Sequence, residues 1–195
     1  MHGLINWSIE KFICETYGTA EWENIAVGAK LGFSGFEALM TYDDQITTAV
    51  LETATKHLKK PNEAILADLG IFLCSHPRME AVRRLLRFGG ETFSDFLCSL
   101  DDLADRAHLA LPGLEIPDIN LRLNAPGNVT LRCKGDLAGY GHVLVGILQA
   151  MADDYGTLAL IEHLGSTQGE EIVSIQMLNA AHTKGRDFSL ATKVS

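Results

Sequence analysis

The side chains able to do chemistry in this 195-residue sequence include four cysteines, seven histidines and 25 carboxylates, and their spacing limits what they can do. Cys14, Cys74, Cys98 and Cys133 form no C-x-x-C pair, so no zinc knuckle is written, and a chain of this length needs no disulfide staples. His2, His57, His76, His163 and His182 have no companion at metal-ligand spacing and read as surface residues. Asp43-Asp44 read as helix-start residues, Asp101-Asp102 as the solvated side of a helix, and Asp153-Asp154 as a crowded helix end. With no Gly-rich phosphate loop, G-x-S-x-G elbow or H-E-x-x-H, catalysis is the least supported class and the chain is expected not to be an enzyme.

The elements that must position these residues change period midway. Leu4, Ile5, Ile9, Phe12 and Ile13 recur at helical spacing up to Gly18, and Trp22, Ile25 and Ala26 mark a short second helix. Tyr42-Asp43-Asp44 starts a third through Leu58, Pro61-Asn62-Glu63 a fourth through Leu73, and Pro77 closes that one before a run from Met79 to Phe88. Phe93 to Leu111 reads as one long amphipathic helix with its stripe on Phe93, Leu97, Leu100, Ala104, Ala107 and Leu111. After Pro117 the period falls to two: Val129, Leu131 and Cys133 predict a strand, Thr157 to Ile161 and Glu171 to Met177 two more, with a helix from Leu137 to Asp154 between. The order predicts an α+β fold in one domain, 1 to about 178, helical to about 112 and sheet-containing from about 113. Residues 179 to 195 are expected to lie on the surface or fray.

Composition narrows the partners. Lys plus Arg total 16 against 25 acidic residues, a net charge of −9, so the field repels phosphate backbones and anionic lipid, and nucleic acid is not expected as a partner. No stretch reaches membrane-spanning length, the N-terminus lacks a signal-peptide pattern, and His2 stands where myristoylation needs glycine. A soluble, cytoplasmic protein is expected.

A set of anchors then falls in one order: Met1, Gly3, Ile5 and Asn6; Tyr17-Gly18 with Trp22 and Ile25; Tyr42-Asp43-Asp44; Phe96, Leu97, Leu100, Asp101 and Leu103; Pro112-Gly113 with Pro117; and Gly139 with Val145-Gly146. In this the chain resembles the haem nitric oxide/oxygen binding (H-NOX, HNOB) family, similar to the sensor domain of the soluble guanylate cyclase beta subunit. The resemblance implies a helical subdomain with a second subdomain of antiparallel sheet and helices. It also implies haem, held by a histidine that follows Leu103 and by a Y-x-S-x-R motif that clamps the propionates. Here the histidine position holds Ala104, and the clamp positions hold Cys133, Gly135 and Leu137. Pro112 keeps its spacing to Ala104, and Gly139 with Val145-Gly146 holds the register after the clamp.

The chemistry of those changes needs no family. An alanine methyl has no lone pair for iron, and Leu137 removes the guanidinium that would neutralise two carboxylates. His108, one turn beyond Ala104, is a substitute donor, although that turn moves it about 6 Å along the axis. Cys133 could offer thiolate but reads as a small buried hydrophobe; Cys74 and His142 fall near the wall where the resemblance places gas-binding groups, and Ile5 and Pro117 are further pocket candidates. The expectation is therefore a stand-alone sensor domain degenerate for haem, with no cofactor expected. It would bind a different small hydrophobic ligand or act as an interaction protein, signalling through a separate histidine kinase or cyclic-nucleotide enzyme. The alternatives are a haem gas sensor using a donor such as His108, or an enzyme using the vacated pocket.

Overall fold

In the computed structural model of the chain, every residue is described except Pro112, Glu115, Asp136, Leu137 and 189–195, with Ala110 described by its backbone alone. Two compact units result: Met1–Ile65 with the stretch beginning at Leu111, and Leu66–Ala110 with the chain from Ile116 onward.

In the first unit α1 (Gly3–Tyr17) starts at a histidine cap, the ring Nδ1 of His2 accepting the Leu4 N–H at 3.2 Å. α1 buries Ile9, Phe12 and Ile13, and α2 (Thr19–Gly28) buries Trp22 and Ile25, as their spacing predicts. Asp43 caps α3 (Asp44–Leu58) by accepting the Gln45 N–H at 2.9 Å. Glu10 is turned inward, its Oε2 accepting the Phe36 N–H at 2.7 Å, which ties the α2–α3 loop to α1. His57 is exposed, as expected, and its ring nitrogen lies 3.2 Å from Glu21, whose side chain is equally exposed.

The second unit takes most of α4 (Asn62–Ser75), then a 3-10 turn (Pro77–Met79), α5 (Glu80–Arg87), α6 (Phe93–Cys98), a second 3-10 segment (Ser99–Asp102) and α7 (Leu103–Ala110). His76 caps the first turn and stacks on Phe72 with ring centroids 4.5 Å apart. An antiparallel sheet follows in the order β1-β2-β4-β3: β1 (Asp118–Ala125), β2 (Asn128–Lys134), β3 (Leu158–Thr167) and β4 (Glu170–Asn179), with α8 (Tyr140–Tyr155) between β2 and β3 in sequence. The sheet confirms the α+β class. β1 is the strand that periodicity does not predict, because Ile119 is the one fully buried residue of its eight. The turn Pro126-Gly127, with Gly127 at φ +76°, folds β1 back on β2.

α8 packs on β3 and β4, and Leu144, Leu148 and Met151 join Val129, Leu131, Val173 and Ile175 in the core of this unit. It also crosses α4 backbone to backbone. A Cβ built on Gly146 would lie 2.0 Å from the Ala67 carbonyl, and one on Gly70 would lie 2.1 Å from that of Val143. At the C-terminal end of α8, Asp154 is buried and accepts from Arg83 Nη2 at 2.7 Å, with Arg87 Nε 3.6 Å away. The described residues beyond β4, up to Phe188, lie mostly on the surface, as expected, and some of them contact this end of α8. The Arg186 N–H donates to the Asp154 carbonyl at 2.9 Å, and the Arg87 guanidinium lies 3.9 Å from the Tyr155 ring and 4.9 Å from that of Phe188.

The long helix expected over Phe93 to Leu111 is broken by the 3-10 segment of four residues, Ser99–Asp102. There the Ser99 carbonyl accepts from Arg106 Nη2 at 2.7 Å, and the Asp101 carboxylate accepts the Leu121 N–H of β1 at 2.7 Å. Asp101 is therefore a tether to the sheet and not only a solvated charge. Each 3-10 residue turns about 20° further than an α residue, so the segment shifts the buried stripe of α7 from that of a continuous helix. Ala107 is buried as the stripe predicts, Leu103 is buried although it lies off that stripe, Ala104 is only half-buried, and His108 is exposed.

Gly146→Ala should cost about 3 kcal/mol, the upper end for overpacking, because backbone rather than a flexible side chain stands in the way. Urea unfolding of the pair of proteins checks this; a loss below about 0.5 kcal/mol would contradict the close crossing.

Candidate functional site

The end of β2 brings together several of the residues singled out from sequence. Cys133 is buried as the last inward residue of β2, where the alternation Val129, Leu131, Cys133 puts it. Gly135 follows and faces Pro117, which precedes β1. A Cβ on Gly135 would come 2.5 Å from Pro117 Cγ, so the proline ring fills the space a side chain there would need. Leu137 lies outside the described residues.

Cys74, near the end of α4, is also buried, and both thiols are electrostatic neighbours of the Tyr140 phenol at the start of α8. Burial pushes the Cys74 thiol up to about 12, and burial with the nearby carboxylates of Glu171 and Asp118 pushes Cys133 up to about 12. Burial likewise raises the Tyr140 phenol above its ordinary range. Both cysteines are consequently neutral thiols at physiological pH, poor as nucleophiles and as ligands.

Glu171, the β4 partner of Cys133 across the ladder, was not foreseen as a site residue. Its two oxygens accept the N–H groups of Gly139 at 2.6 Å and Gly141 at 2.8 Å, so a carboxylate of the chain itself caps the positive end of α8. It also meets His163 Nε2 at 3.1 Å, and the His163 ring lies 4.1 Å from that of His142. His163 is therefore a half-buried partner of a carboxylate and not a surface residue, and His142 packs upon it. No sequence signal marks Glu171, because its role comes from the β2–β4 register. Asp118 at the start of β1 adds a second negative charge near Cys133.

Ala104 and His108 share α7. Taking the buried direction as midway between Leu103 and Ala107, Ala104 lies about 80° and His108 about 120° round the helix. Ile5 is half-buried on α1 in the first unit. A haem carried by a donor at position 104, with propionate donors at positions 133 and 135, does not fit these residues. The first is a methyl, the second a neutral thiol beside two carboxylates, and the third a glycine covered by a proline ring. Two surface clefts in the second unit, of about 510 Å3 beside α6 and the β1–β2 turn and about 320 Å3 beside α8 and β3, are lined by none of these residues.

Residues 2–163 match the family described as Haem-NO-binding, HNOB. The chain is 21% identical over 165 residues to soluble guanylate cyclase gcy-31 of Caenorhabditis elegans, covering 84% of this chain and 24% of that protein. It is 27% identical over 131 residues to guanylate cyclase soluble subunit beta-2 of Rattus norvegicus, covering 64% and 19% respectively. It thus spans about a quarter or less of the curated relatives it matches. Among solved structures it superposes on an H-NOX protein from S. oneidensis in the Fe(II)NO state with a TM-score of 0.76 at 16% identity, covering 92% of this chain and 100% of that one. Against unliganded Fe(II) H-NOX from K. algicida the TM-score is 0.78 at 15% identity, with coverage of 97% and 100%. These likenesses carry the fold.

A thiol reagent near neutral pH should label exposed Cys98 first and reach Cys74 and Cys133 only on unfolding. Because the folded pKa of each buried thiol lies above its unfolded value, stability is full below about pH 9 and is lost as pH rises toward about 12. Denaturation midpoints across that range should fall, and Cys74→Ala with Cys133→Ala should flatten the fall. Rapid labelling of all four cysteines in the folded protein would contradict the burial.

Proposed function

Because the chain belongs to the haem-NO-binding family of gas-sensing domains, we propose that it is a non-catalytic sensor domain that has given up haem held in the family manner. It responds instead to another small hydrophobic ligand, or serves as an interaction domain, and passes its signal to a separate protein. The guanylate cyclases among its relatives make a cyclic-nucleotide enzyme one expected class of partner, and a histidine kinase is the other. The observation that carries this reading is the joint loss of donors: Ala104 offers nothing to iron, and Cys133 and Gly135 offer nothing to propionates.

Two features support the loss as a coordinated one. The Pro117 ring stands against Gly135, and the positive end of α8 is taken by Glu171. An incoming carboxylate at the end of β2 would meet Glu171 and Asp118, charges of its own sign. The proposal of a non-catalytic domain is supported by the buried, neutral state of Cys74 and Cys133, the thiols nearest the family site positions. His108 as a replacement iron donor has no comparable support, since it is exposed and lies further round α7 than Ala104.

Restoring the site tests this. Ala104→His alone should take up haem weakly, while adding Cys133→Tyr, Gly135→Ser and Leu137→Arg should tighten uptake by about tenfold or more. Gly135→Ser by itself should cost about 1–3 kcal/mol, and Pro117→Gly, which removes both Cγ and the Cβ that would lie 2.8 Å away, should relieve the contact. Haem titrations followed by the Soret band, with thermal melts of each variant, provide the readouts. Tight uptake by Ala104→His alone would show that the missing clamp is immaterial.

A further inference from the structure

The sheet of the second unit has two edges, and they are treated differently. β1 is closed: the Asp101 carboxylate takes the Leu121 N–H at 2.7 Å, and the 3-10 segment and α7 pack alongside. Among the described residues β3 has no such cover. Among the described residues, the backbone hydrogen bonds of Leu158–His163 run to β4 alone, and no side chain reaches across from the other side. Proteins usually blunt an open edge with lysine or proline, yet β3 from Leu158 to Thr167 contains neither. Its outward face instead shows Leu158, Leu160 and Leu164 at 41%, 47% and 61% exposure, with Glu162 between them. Such a row beside unpaired backbone groups is a template for an added strand.

Charge selects the occupant. The 320 Å3 cleft beside this edge is lined by Ile71, Ala150 and Ile161 together with the carboxylate-bearing Asp153. Asp153 and Glu162 have no cationic partner among the described residues. A second copy of the chain would bring its own net charge of −9 to an edge that already carries Glu162 and Asp153, which like-charge repulsion opposes. Register shifts between Leu158 and Ala159 and between His163 and Gly165, the latter with Gly165 at φ +100°, bound the regular stretch, so the usable edge runs over Leu158–His163, about 20 Å long.

We propose that the Leu158–His163 edge of β3 is a docking site for an extended segment of a partner protein that is apolar on both faces and carries two adjacent lysine or arginine residues, one directed to each face. Main-chain hydrogen bonds to β3 supply the affinity. Apolar side chains of the segment lie over Leu158 and Leu160 on one face and over the cleft on the other, and its cations meet Glu162 and Asp153. This rests on the reading that the domain signals through a second polypeptide, but it is independent of the haem argument.

The test uses the full chain, labelled with 15N, and two capped octapeptides of valine, one with a central pair of adjacent lysines and the other with a central pair of adjacent glutamates, so that one charge faces each side. The lysine peptide should slow hydrogen exchange of the 158–163 amides and bind about tenfold more tightly than the glutamate peptide. Glu162→Lys combined with Asp153→Lys, both at exposed positions, should reverse that preference while leaving the far-UV spectrum unchanged. Exchange at 158–163 unaffected by either peptide overturns the proposal. So does protection of those amides that grows with protein concentration alone, since a second copy would then occupy the edge. Haem takes no part in this readout, so failure here and failure of the haem argument are separately visible.

Discussion

A carboxylate supplied by the chain itself, that of Glu171, organises the region where the family's site positions converge. A helix begins with N–H groups that have no partner within it, and at α8 the N–H groups of Gly139 and Gly141 are taken by Glu171. The same side chain stands across the β2–β4 ladder from Cys133 and holds His163, on which His142 packs. The end of the sheet, the start of the helix and the His142–His163 pair are thus joined through one negative charge. That charge also sets the local field: with Asp118 it raises the Cys133 thiol, and it would repel an anion brought to the same place.

The second constraint is angular. The 3-10 segment Ser99–Asp102 is held by Asp101 on β1 and Arg106 on Ser99, and it turns α7 so that Leu103 and Ala107 face the core. The position where an iron donor would stand is therefore both chemically empty and half out of the buried stripe. Cys133, Gly135 and Pro117 complete the picture with a buried neutral thiol and a proline ring set against bare backbone.

Much of this was legible in the sequence, and the failures share a cause. Helices with caps and a full apolar stripe, such as α1 and α3, were readable because their signals are local: Asp43 before α3, Ile9 and Phe12 within α1. The strand Val129–Cys133 was readable because alternate residues are buried, whereas β1 buries Ile119 alone and shows no alternation. The losses at Ala104, Cys133 and Gly135 were visible as residue types within a fixed register. What remained hidden depends on partners distant in sequence. Asp101 bends its helix toward Leu121 of β1, Asp154 is buried against Arg83, and Glu171 reaches α8 through the strand register. The leucines of β3 gave a strand, but only the sheet order shows that they lie on an uncovered edge.

The central claim is that the unaltered chain does not hold haem in the family manner, and haem content tests it most directly. The protein is produced in cells supplied with the haem precursor 5-aminolaevulinate, passed through gel filtration, and assayed for haem per chain by the pyridine haemochromogen method. The account predicts a colourless protein with haem far below one per chain and no Soret band. Stoichiometric haem surviving gel filtration, with a five-coordinate ferrous spectrum, would contradict it.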